Sequence, residues 1–385
     1  MNKPDYEGGS ILNLIGTICR ARGTTTKYSP LKLLKPSEIK DSKNIVLMLI
    51  DGLGYEFLMK NGQDTILNEN LKGKITSVFP SSTSAAIPTL MTGSSPQEHG
   101  MAGWYMYMKE FNGTIIPLHY ITKTNLAPLG KIVDIKKVFN INPITKKIKT
   151  KSYLVQNNKI LNSNFTHATS EKSKKVGFNK MEGYFRAIKE IINSNNQKKY
   201  IYAYYSDHDS LCHKNGSNSK KVLDHFKKLN KRMETFINSL KGTNTTLIIT
   251  ADHGMIDTTK NKLVNMRNHP KLKETLSMPL CGEHRFAYCY VKPSREKDFL
   301  KYIKTKFKKY CEVHKSEDLI KKKYFGLFNP HKNFKDRIGD YTLIMKDNYS
   351  IYDNSSYQKK EHFHIGEHGG LSKEELYVPL IVIKK

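Results

Sequence analysis

The chain contains little cysteine. Its cysteines number five, an odd count without any Cys-x-x-Cys pair, and they are Cys19, Cys212, Cys281, Cys289 and Cys311. A disulfide framework needs cysteines that can pair with one another. The count therefore argues against such a framework and predicts a reducing compartment.

Long hydrophobic runs and an N-terminal leader are also lacking. No apolar run approaches the roughly 18 residues that a membrane span requires, and no basic segment followed by an apolar one opens the chain. We therefore expect a cytoplasmic protein without a membrane span. The glycine-rich fingerprints GxGxxG and GxxxxGK(S/T) are absent too, which removes the usual sequence support for a dinucleotide or P-loop site.

Acidic residues are scarce relative to basic ones. The 35 Asp and Glu face 64 Lys and Arg, so the formal net charge is +29. This charge could attract nucleic acid, anionic lipid or phosphorylated substrates. The lysines are spread along the whole chain in Asn-, Ile- and Tyr-rich sequence, a distribution that compositional drift would also produce. Nucleic acid is therefore a candidate partner, and the oligomeric state is left open.

What the chain does contain is three apolar, β-rich runs that end in aspartate. The runs and their acids are 45–50 with Asp51, 200–205 with Asp207 and Asp209, and 246–250 with Asp252. An uninterrupted apolar run fits a strand buried on both faces of a parallel sheet. Ligands bind beyond the carboxyl ends of such strands, so these acids are candidate metal ligands or catalytic groups. Taken alone, Asp51 could equally cap a helix or a turn.

A hydroxyl-rich segment lies at 81–84, ahead of residues 85–91, which can start a helix. A helix N-terminus stabilises negative charge, and its free N–H groups can bind phosphate oxygens. Thr83 is accordingly the candidate nucleophile, with Ser82 and Ser84 as alternatives. Capping the helix is the ordinary role of such hydroxyls.

The patterns divide the chain into four parts. They are an N-terminal lead-in with one helix at 1–44, a catalytic α/β core at 45–277, a cap subdomain at 278–345 and a return to the core at 346–385. A Lys-, Asn- and Ser-rich stretch at about 131–175 has only short apolar runs, and we interpret it as a lid-like insert over one sheet edge or a solvated excursion. Strand and helix patterns alternate in the cap, which predicts a small α+β unit.

Six Asp and His side chains are expected to gather with Thr83 at the sheet edge. They are Asp51, Asp209, His213, Asp252, His253 and His368. Mixed Asp and His ligands suit zinc or manganese, whereas magnesium and calcium favour oxygen alone. Six ligands divide into two sets of three, and each set leaves room for substrate. Two ions about 3.5 to 4 Å apart can hold both the attacking and the leaving oxygen of a displacement at phosphorus.

At these residues the chain resembles the alkaline phosphatase superfamily, and specifically its type I phosphodiesterase / nucleotide pyrophosphatase branch. The shared motifs are Asp51-Gly, FPSST…TLMTG at 79–93, HG at 99–100, Asp209-x3-His213-x2-Gly216, TADHGM at 250–255, RIGDY at 337–341 and HGG at 368–370. The resemblance implies an α/β fold of the alkaline phosphatase type. This is a three-layer sandwich with a mostly parallel central sheet and a small α+β cap insertion.

The resemblance also implies a mechanism and a ligand set. One metal would be held by Asp51, Asp252, His253 and the Thr83 oxygen, and the other by Asp209, His213 and His368. Thr83 would attack a phosphodiester or a nucleotide pyrophosphate bond, form a phospho- or nucleotidyl-threonine, and be released by water. Two Zn²⁺ ions are the expected cofactors, with Mn²⁺ as the alternative.

One departure from the branch concerns substrate binding. Where the branch has Gly-Asn after its HG motif, with an Asn side chain that helps to bind the phosphoryl oxygen, this chain has Gly103-Trp104. Trp104 could stack on a base or an aromatic leaving group, or it could belong to the core. A phosphomonoesterase or phosphonate hydrolase on the same fold is therefore the nearest alternative, followed by a noncatalytic basic protein that binds nucleic acid.

Further histidines have weaker assignments. His284 could face the cleft, and we interpret His362 and His364 as surface residues rather than donors to the site. His99 is expected to support its loop through a hydrogen bond.

Overall fold

The computed structural model describes residues 2–353 and 363–385. Its strands are β1 Asn44–Ile50, β2 Leu71–Thr76, β3 Met106–Met108, β4 Gly113–Ile116, β5 Ile121–Thr122, β6 Lys151–Asn157, β7 Ser173–Phe178, β8 Lys199–Tyr205, β9 Thr245–Thr250, β10 Ile256–Asp257, β11 Leu263–Asn265, β12 Cys281–Glu283, β13 Phe286–Cys289, β14 Cys311–Lys315, β15 Tyr341–Met345, β16 Ser350–Tyr352, β17 Gly366–Glu367 and β18 Tyr377–Lys384. Its α-helices are α1 Ile11–Ala21, α2 Tyr55–Asn61, α3 Ile66–Glu69, α4 Thr83–Thr92, α5 Pro96–His99, α6 Ile135–Val138, α7 Asn164–Thr169, α8 Met181–Asn193, α9 Asp207–Asn215, α10 Lys220–Asn238, α11 Pro270–Lys273, α12 Glu296–Tyr302, α13 Ser316–Lys321, α14 Phe334–Arg337 and α15 Lys373–Leu376.

A seven-stranded sheet organises the fold, in the order β2-β18-β9-β1-β8-β6-β7. Strand β18 runs antiparallel to both of its neighbours, and the other strands are parallel to one another. Every residue of β1, β8 and β9 is buried, so both faces of the sheet are covered. The predicted α/β fold with a mostly parallel central sheet is confirmed.

Helices supply the cover on the two faces. Helix α1 contacts α4, whereas α10 contacts α8 and α9. Helix α10 buries apolar residues at the three- and four-residue spacing of one helix face, namely Val222, Phe226, Leu229, Met233, Phe236 and Ile237. Phe226 meets Phe57 of α2 edge-on, with ring centroids 5.2 Å apart. Among the described helices, none has the length and apolar character needed to cross a bilayer.

A second, antiparallel sheet in the order β12-β13-β15-β14 forms the α+β cap together with α12 and α13. It has a hydrophobic cluster of its own, which includes Phe299, Phe307 and Leu343. The cluster also includes Val264 and Ile351, which lie outside the 278–345 segment expected from the sequence. The core of the cap therefore draws on residues from both flanking segments.

The interpretation of 131–175 as an insert over the sheet edge is wrong for its second half. Strands β6 and β7 are part of the central sheet itself and pair in parallel with β8 and with each other. Five consecutive residues of β6 are buried, although lysines surround them in the sequence. Strand β7 is an edge strand with solvent-facing lysines, which is a common protection against unwanted strand pairing.

A buried ion pair ties the cap to the loop that carries His368. The Arg285 guanidinium donates to both carboxylate oxygens of Glu375, at 3.1 and 3.0 Å, and to the carbonyl of Asp347 at 2.7 Å. Glu375 in turn accepts a hydrogen bond from the backbone N–H of Gly370 at 2.8 Å. The cap sheet and the HGG segment are thereby held together through one carboxylate.

We expect Arg285→Met to lower the free energy of unfolding by about 3 to 5 kcal/mol, because it leaves the Glu375 carboxylate buried without its partner. Denaturant titration of the purified variant measures the change. Arg232→Met is the matched control, since Arg232 pairs with Glu182 at 3.3 Å on the surface and its loss should cost about 0 to 1 kcal/mol. Equal losses in the two variants would contradict the assignment.

Candidate active site

The candidate site forms where three neighbouring parallel strands end. Strand β1 lies between β8 and β9 and pairs in parallel with both, so the carboxyl ends of all three meet at one edge. Asp51 follows β1 directly, Asp252 follows β9 closely, and Asp209 lies in the first turn of α9 after β8. His213 lies one turn further along α9 on the same face as Asp209. The sheet topology therefore brings these four side chains together.

His253 lies close to the other two members of the first predicted trio, Asp51 and Asp252. Its Nε2 lies 3.4 Å from Asp51 Oδ1 and 3.5 Å from Asp252 Oδ2. Its Nδ1 is 3.0 Å from the Gly254 carbonyl, which can only accept, so Nδ1 donates there and Nε2 is left to face the two carboxylates. The Thr83 hydroxyl is 3.1 Å from the same Nε2. The predicted nucleophile thus adjoins the first predicted trio.

Asp209 lies close to the two histidines of the second predicted trio, His213 and His368. Its Oδ1 lies 3.3 Å from His213 Nε2 and 3.9 Å from His368 Nε2. His213 Nδ1 donates to the carbonyl of Gly366 at 2.8 Å, and His368 Nδ1 donates to that of Ser81 at 3.3 Å. Both rings therefore turn Nε2 toward Asp209. The two groups touch, because the rings of His253 and His368 stack with centroids 3.7 Å apart.

The donor set fits divalent cations. Asp51 Oδ1, Asp209 Oδ1 and Asp252 Oδ2 are buried and accept no hydrogen bond from the described residues. Each of these oxygens faces a histidine Nε2, and such a pair is favourable in a buried site only when a proton or a cation lies between the two atoms. The arrangement explains the three unpaired oxygens together. The roles of the six residues as ligands stay a prediction.

Thr83 is the hydroxyl of its segment that opens toward solvent, since Ser81, Ser82 and Ser84 are buried. Ser82 is the N-cap of α4, and its Oγ accepts from the N–H of Ser84. The Ser81 hydroxyl donates to the Gly370 carbonyl at 2.7 Å. The Thr83 hydroxyl at the first position of the helix is therefore accessible for reaction, whereas the hydroxyls of Ser81 and Ser82 make hydrogen bonds that stabilise the segment.

A cavity of about 400 Å³ opens onto Thr83 and the carboxylates. Its wall includes aromatic side chains, namely Trp104, Tyr105, His119 and Tyr204. Trp104 meets His119 edge-on with ring centroids 5.3 Å apart, so it belongs to the cavity wall rather than to the core. Within the described part of the chain, no Lys or Arg lines this cavity.

A family model for the type I phosphodiesterase / nucleotide pyrophosphatase family matches residues 45–371. The chain belongs to this family. Its members are hydrolases of phosphoesters that depend on divalent metal ions. No curated protein sequence matches this phosphodiesterase-family chain.

Solved structures of low sequence identity share the fold. Murine ectonucleotide pyrophosphatase / phosphodiesterase 5 superposes with a TM-score of 0.66 at 18% identity, over 87% of each chain. An inactive Thr-to-Ala variant of that murine protein in complex with AMP gives 0.66 at 17% identity, again over 87% of each chain. Phosphonoacetate hydrolase from Sinorhizobium meliloti, in complex with phosphonoformate, gives 0.65 at 16% identity over 88% of this chain and 89% of that one.

Sequence reasoning missed several residues of the phosphodiesterase-family site. The ring of His364 lies 4.6 Å from that of His213, so the interpretation of His364 as a surface residue is wrong. Glu367 forms a group with His213 and His364, and its Oε1 accepts from His284 Nδ1 at 2.9 Å and from the Tyr352 hydroxyl at 2.5 Å. These contacts join residues that are distant in the sequence. The one sequence signal for Glu367 is its position next to His368. His362 lies outside the described residues.

Tyr204 supports a site residue, and His99 supports the loop that follows α5. The Tyr204 hydroxyl donates to Asp51 Oδ2, which leaves Oδ1 directed at His253. His99 accepts from the N–H of Met101 at 3.1 Å and lies 3.1 Å from the Thr89 hydroxyl, so it supports its loop as expected.

The acid–base properties of the site predict that cation binding releases protons. Burial raises the pKa of Asp51, and the neighbouring Asp252 and Asp209 raise it further. Burial also raises the pKa of Asp209. Burial lowers the pKa of His213, but Asp209 and Glu367 outweigh it and the net shift is upward. Without a cation, these groups hold protons to higher pH than they would in a free peptide.

Because only the deprotonated groups can bind a cation, we expect the affinity for Zn²⁺ to rise with pH between about pH 5 and 8. Calorimetry in buffers of different ionisation enthalpy measures the number of protons released. An affinity that does not change over this range would show that the cation binds elsewhere.

Proposed function

We propose that this protein hydrolyses phosphodiesters or nucleotide pyrophosphate bonds at a two-metal site, with Thr83 as the nucleophile. The observation that carries the proposal is the position of Thr83. It is the first residue of α4, opens onto the cavity, and has its hydroxyl 3.1 Å from His253 Nε2, the nitrogen that also faces Asp51 and Asp252. The inactive Thr-to-Ala variant of the murine relative supports a threonine in this role.

The proposed ligands are those of the sequence prediction, with Asp51, Asp252 and His253 around one ion and Asp209, His213 and His368 around the other. Zn²⁺ suits these mixed donors best, with Mn²⁺ as the alternative. Bound divalent ions would supply positive charge that lowers the pKa of a hydroxyl and stabilises the phosphoryl oxygens.

The chain's own residues perform the remaining steps. The Thr83 oxygen attacks phosphorus, the bond from phosphorus to the first leaving group breaks, and a phosphothreonine ester forms. The N-terminus of α4 adds partial positive charge beside the reacting phosphoryl group. Water then attacks the same phosphorus, and the bond to Thr83 breaks to regenerate the hydroxyl.

The lining of the cavity favours diesters over monoesters. A phosphomonoester carries a second negative charge at neutral pH, whereas a diester carries one. Beyond the proposed ligands, the described cavity wall includes Glu283 and Glu367 and no Lys or Arg. Burial raises the pKa of Glu283 to about 8, so at neutral pH a dianionic substrate would meet chiefly the Glu367 carboxylate, without a matching cationic side chain in the described wall. Trp104 is the proposed surface for a base or an aromatic leaving group.

A side-by-side substrate panel tests the proposal. We expect kcat/KM for bis(p-nitrophenyl) phosphate to exceed that for p-nitrophenyl phosphate by at least about 10²-fold, and chelator to abolish both activities until Zn²⁺ or Mn²⁺ is restored. Preference for the monoester, or for phosphonoacetate, would replace the proposal by the corresponding alternative on the same fold. Nucleic-acid binding that is steeply salt-dependent, together with no hydrolysis of any ester, would favour the noncatalytic alternative.

A further inference from the structure

Glu283 reaches the candidate active site from the cap. It is the last residue of β12, yet its side chain lies against the segment that carries Thr83, some 200 residues earlier in the chain. Its Oε1 accepts hydrogen bonds from the Ser82 hydroxyl, from the backbone N–H of Trp104 at 2.9 Å and from the Ser84 hydroxyl at 3.4 Å. One carboxylate oxygen thus collects three donors around the nucleophile.

The other oxygen of Glu283 faces the second Asp/His group. Oε2 lies 3.5 Å from His368 Nδ1, the same nitrogen that donates to the Ser81 carbonyl at 3.3 Å. The Ser81 carbonyl accepts from Nδ1 and the acidic Oε2 lies close to the same nitrogen, an arrangement that keeps Nε2 directed toward Asp209. The side chain of Glu283 is 9% exposed, so water competes little with these contacts.

We propose that Glu283 is a positioning residue that holds the nucleophile and His368 in a fixed relation. It accepts from the backbone N–H of Trp104, the residue that stands where the family resemblance implies an Asn. Through Ser82, the N-cap of α4, Glu283 sets the start of the helix that presents Thr83. Through Oε2 it orients a proposed metal ligand. The inference rests on the proposed function and adds a residue from the cap to it.

Two substitutions separate these contacts. In Glu283→Gln, the amide oxygen can still accept from Ser82 and Trp104, but the amide N–H₂ then faces the N–H of His368. Only the support of His368 is lost. In Glu283→Ala, both sets of contacts are lost. Glu312→Gln is the matched control, because Glu312 lies on the cap sheet 3.4 Å from His314 but is 44% exposed and outside the cavity.

Calorimetric titration of each metal-free variant with Zn²⁺ tests the inference, with thermal unfolding as the check on folding. We expect Glu283→Gln to weaken one of two binding events by about 10- to 100-fold and to leave the other unchanged. Glu283→Ala should show the same weakening and a further fall in kcat, and Glu312→Gln should behave as wild type. The near-isosteric Gln variant keeps the test valid if the Ala variant does not fold.

The outcomes separate the inference from the proposed function. Wild-type binding of two ions with an unchanged Glu283→Gln titration overturns the positioning role and leaves the proposed function intact. A wild-type protein that binds no ion and hydrolyses no ester overturns the proposed function itself.

Discussion

Replacing Thr83 with valine should stop turnover, with kcat for a phosphodiester reduced by at least about 10⁴-fold. Valine keeps the branched shape of threonine and removes the hydroxyl that attacks phosphorus. Thr83 is partly exposed at the first position of α4, so water can take the place of its hydroxyl beside His253 Nε2. The variant should therefore remain folded and bind close to two equivalents of metal.

Initial rates with bis(p-nitrophenyl) phosphate, measured alongside metal content, check this expectation. Thr92→Val is the matched control, because the Thr92 hydroxyl donates to the Pro88 carbonyl at 2.7 Å on the same helix but lies outside the cavity. Thr83→Ser should retain part of the activity, since it keeps a hydroxyl. Full activity of Thr83→Val would move the nucleophile to Ser82 or Ser84.

Removing one ligand from each group should have a similarly large effect. We expect Asp51→Asn and Asp209→Asn each to lower kcat/KM by roughly 10³-fold or more, because each removes a negative charge from an oxygen that accepts no hydrogen bond from the described residues. Metal analysis should give close to one equivalent for either variant and close to two for wild type. Asp336→Asn, which breaks an exposed pair with Lys109, is the matched control.

The metal content and rate of each variant test the group of ligands to which the replaced aspartate belongs. If both variants kept two equivalents and wild-type rates, Asp51 and Asp209 would be excluded as ligands. If one variant alone lost metal, the site would hold a single ion, and the remaining group would have another role.

The central sheet and the gathering of the site could be predicted because both follow from local sequence. Strands β1, β8 and β9 are continuous apolar runs, and parallel pairing places the residues after them at one edge. Asp51, Asp209 and Asp252 therefore meet without any long-range information. His368 precedes the antiparallel strand β18, so the rule for the carboxyl ends of parallel strands does not account for its position.

Other features depend on contacts that local patterns do not encode. Strand β6 is a short buried run among lysines, and β7 itself contains two lysines, so the composition averaged over 131–175 gave no strand signal for either. Glu283 lies in the segment CGEHRF and contacts Ser82 only because the cap sheet folds back over the core. The grouping of His213 with His364 and Glu367 likewise depends on how the chain returns to the core.

Anomalous diffraction at the zinc edge, from crystals grown with Zn²⁺, would show whether the two ligand sets each hold a metal ion beside Thr83. We expect two peaks about 4 Å apart, one among Asp51, Asp252 and His253 beside the Thr83 oxygen, and one among Asp209, His213 and His368. A single peak, or a peak held by His213, His364 and Glu367 with Thr83 remote from any ion, would contradict it.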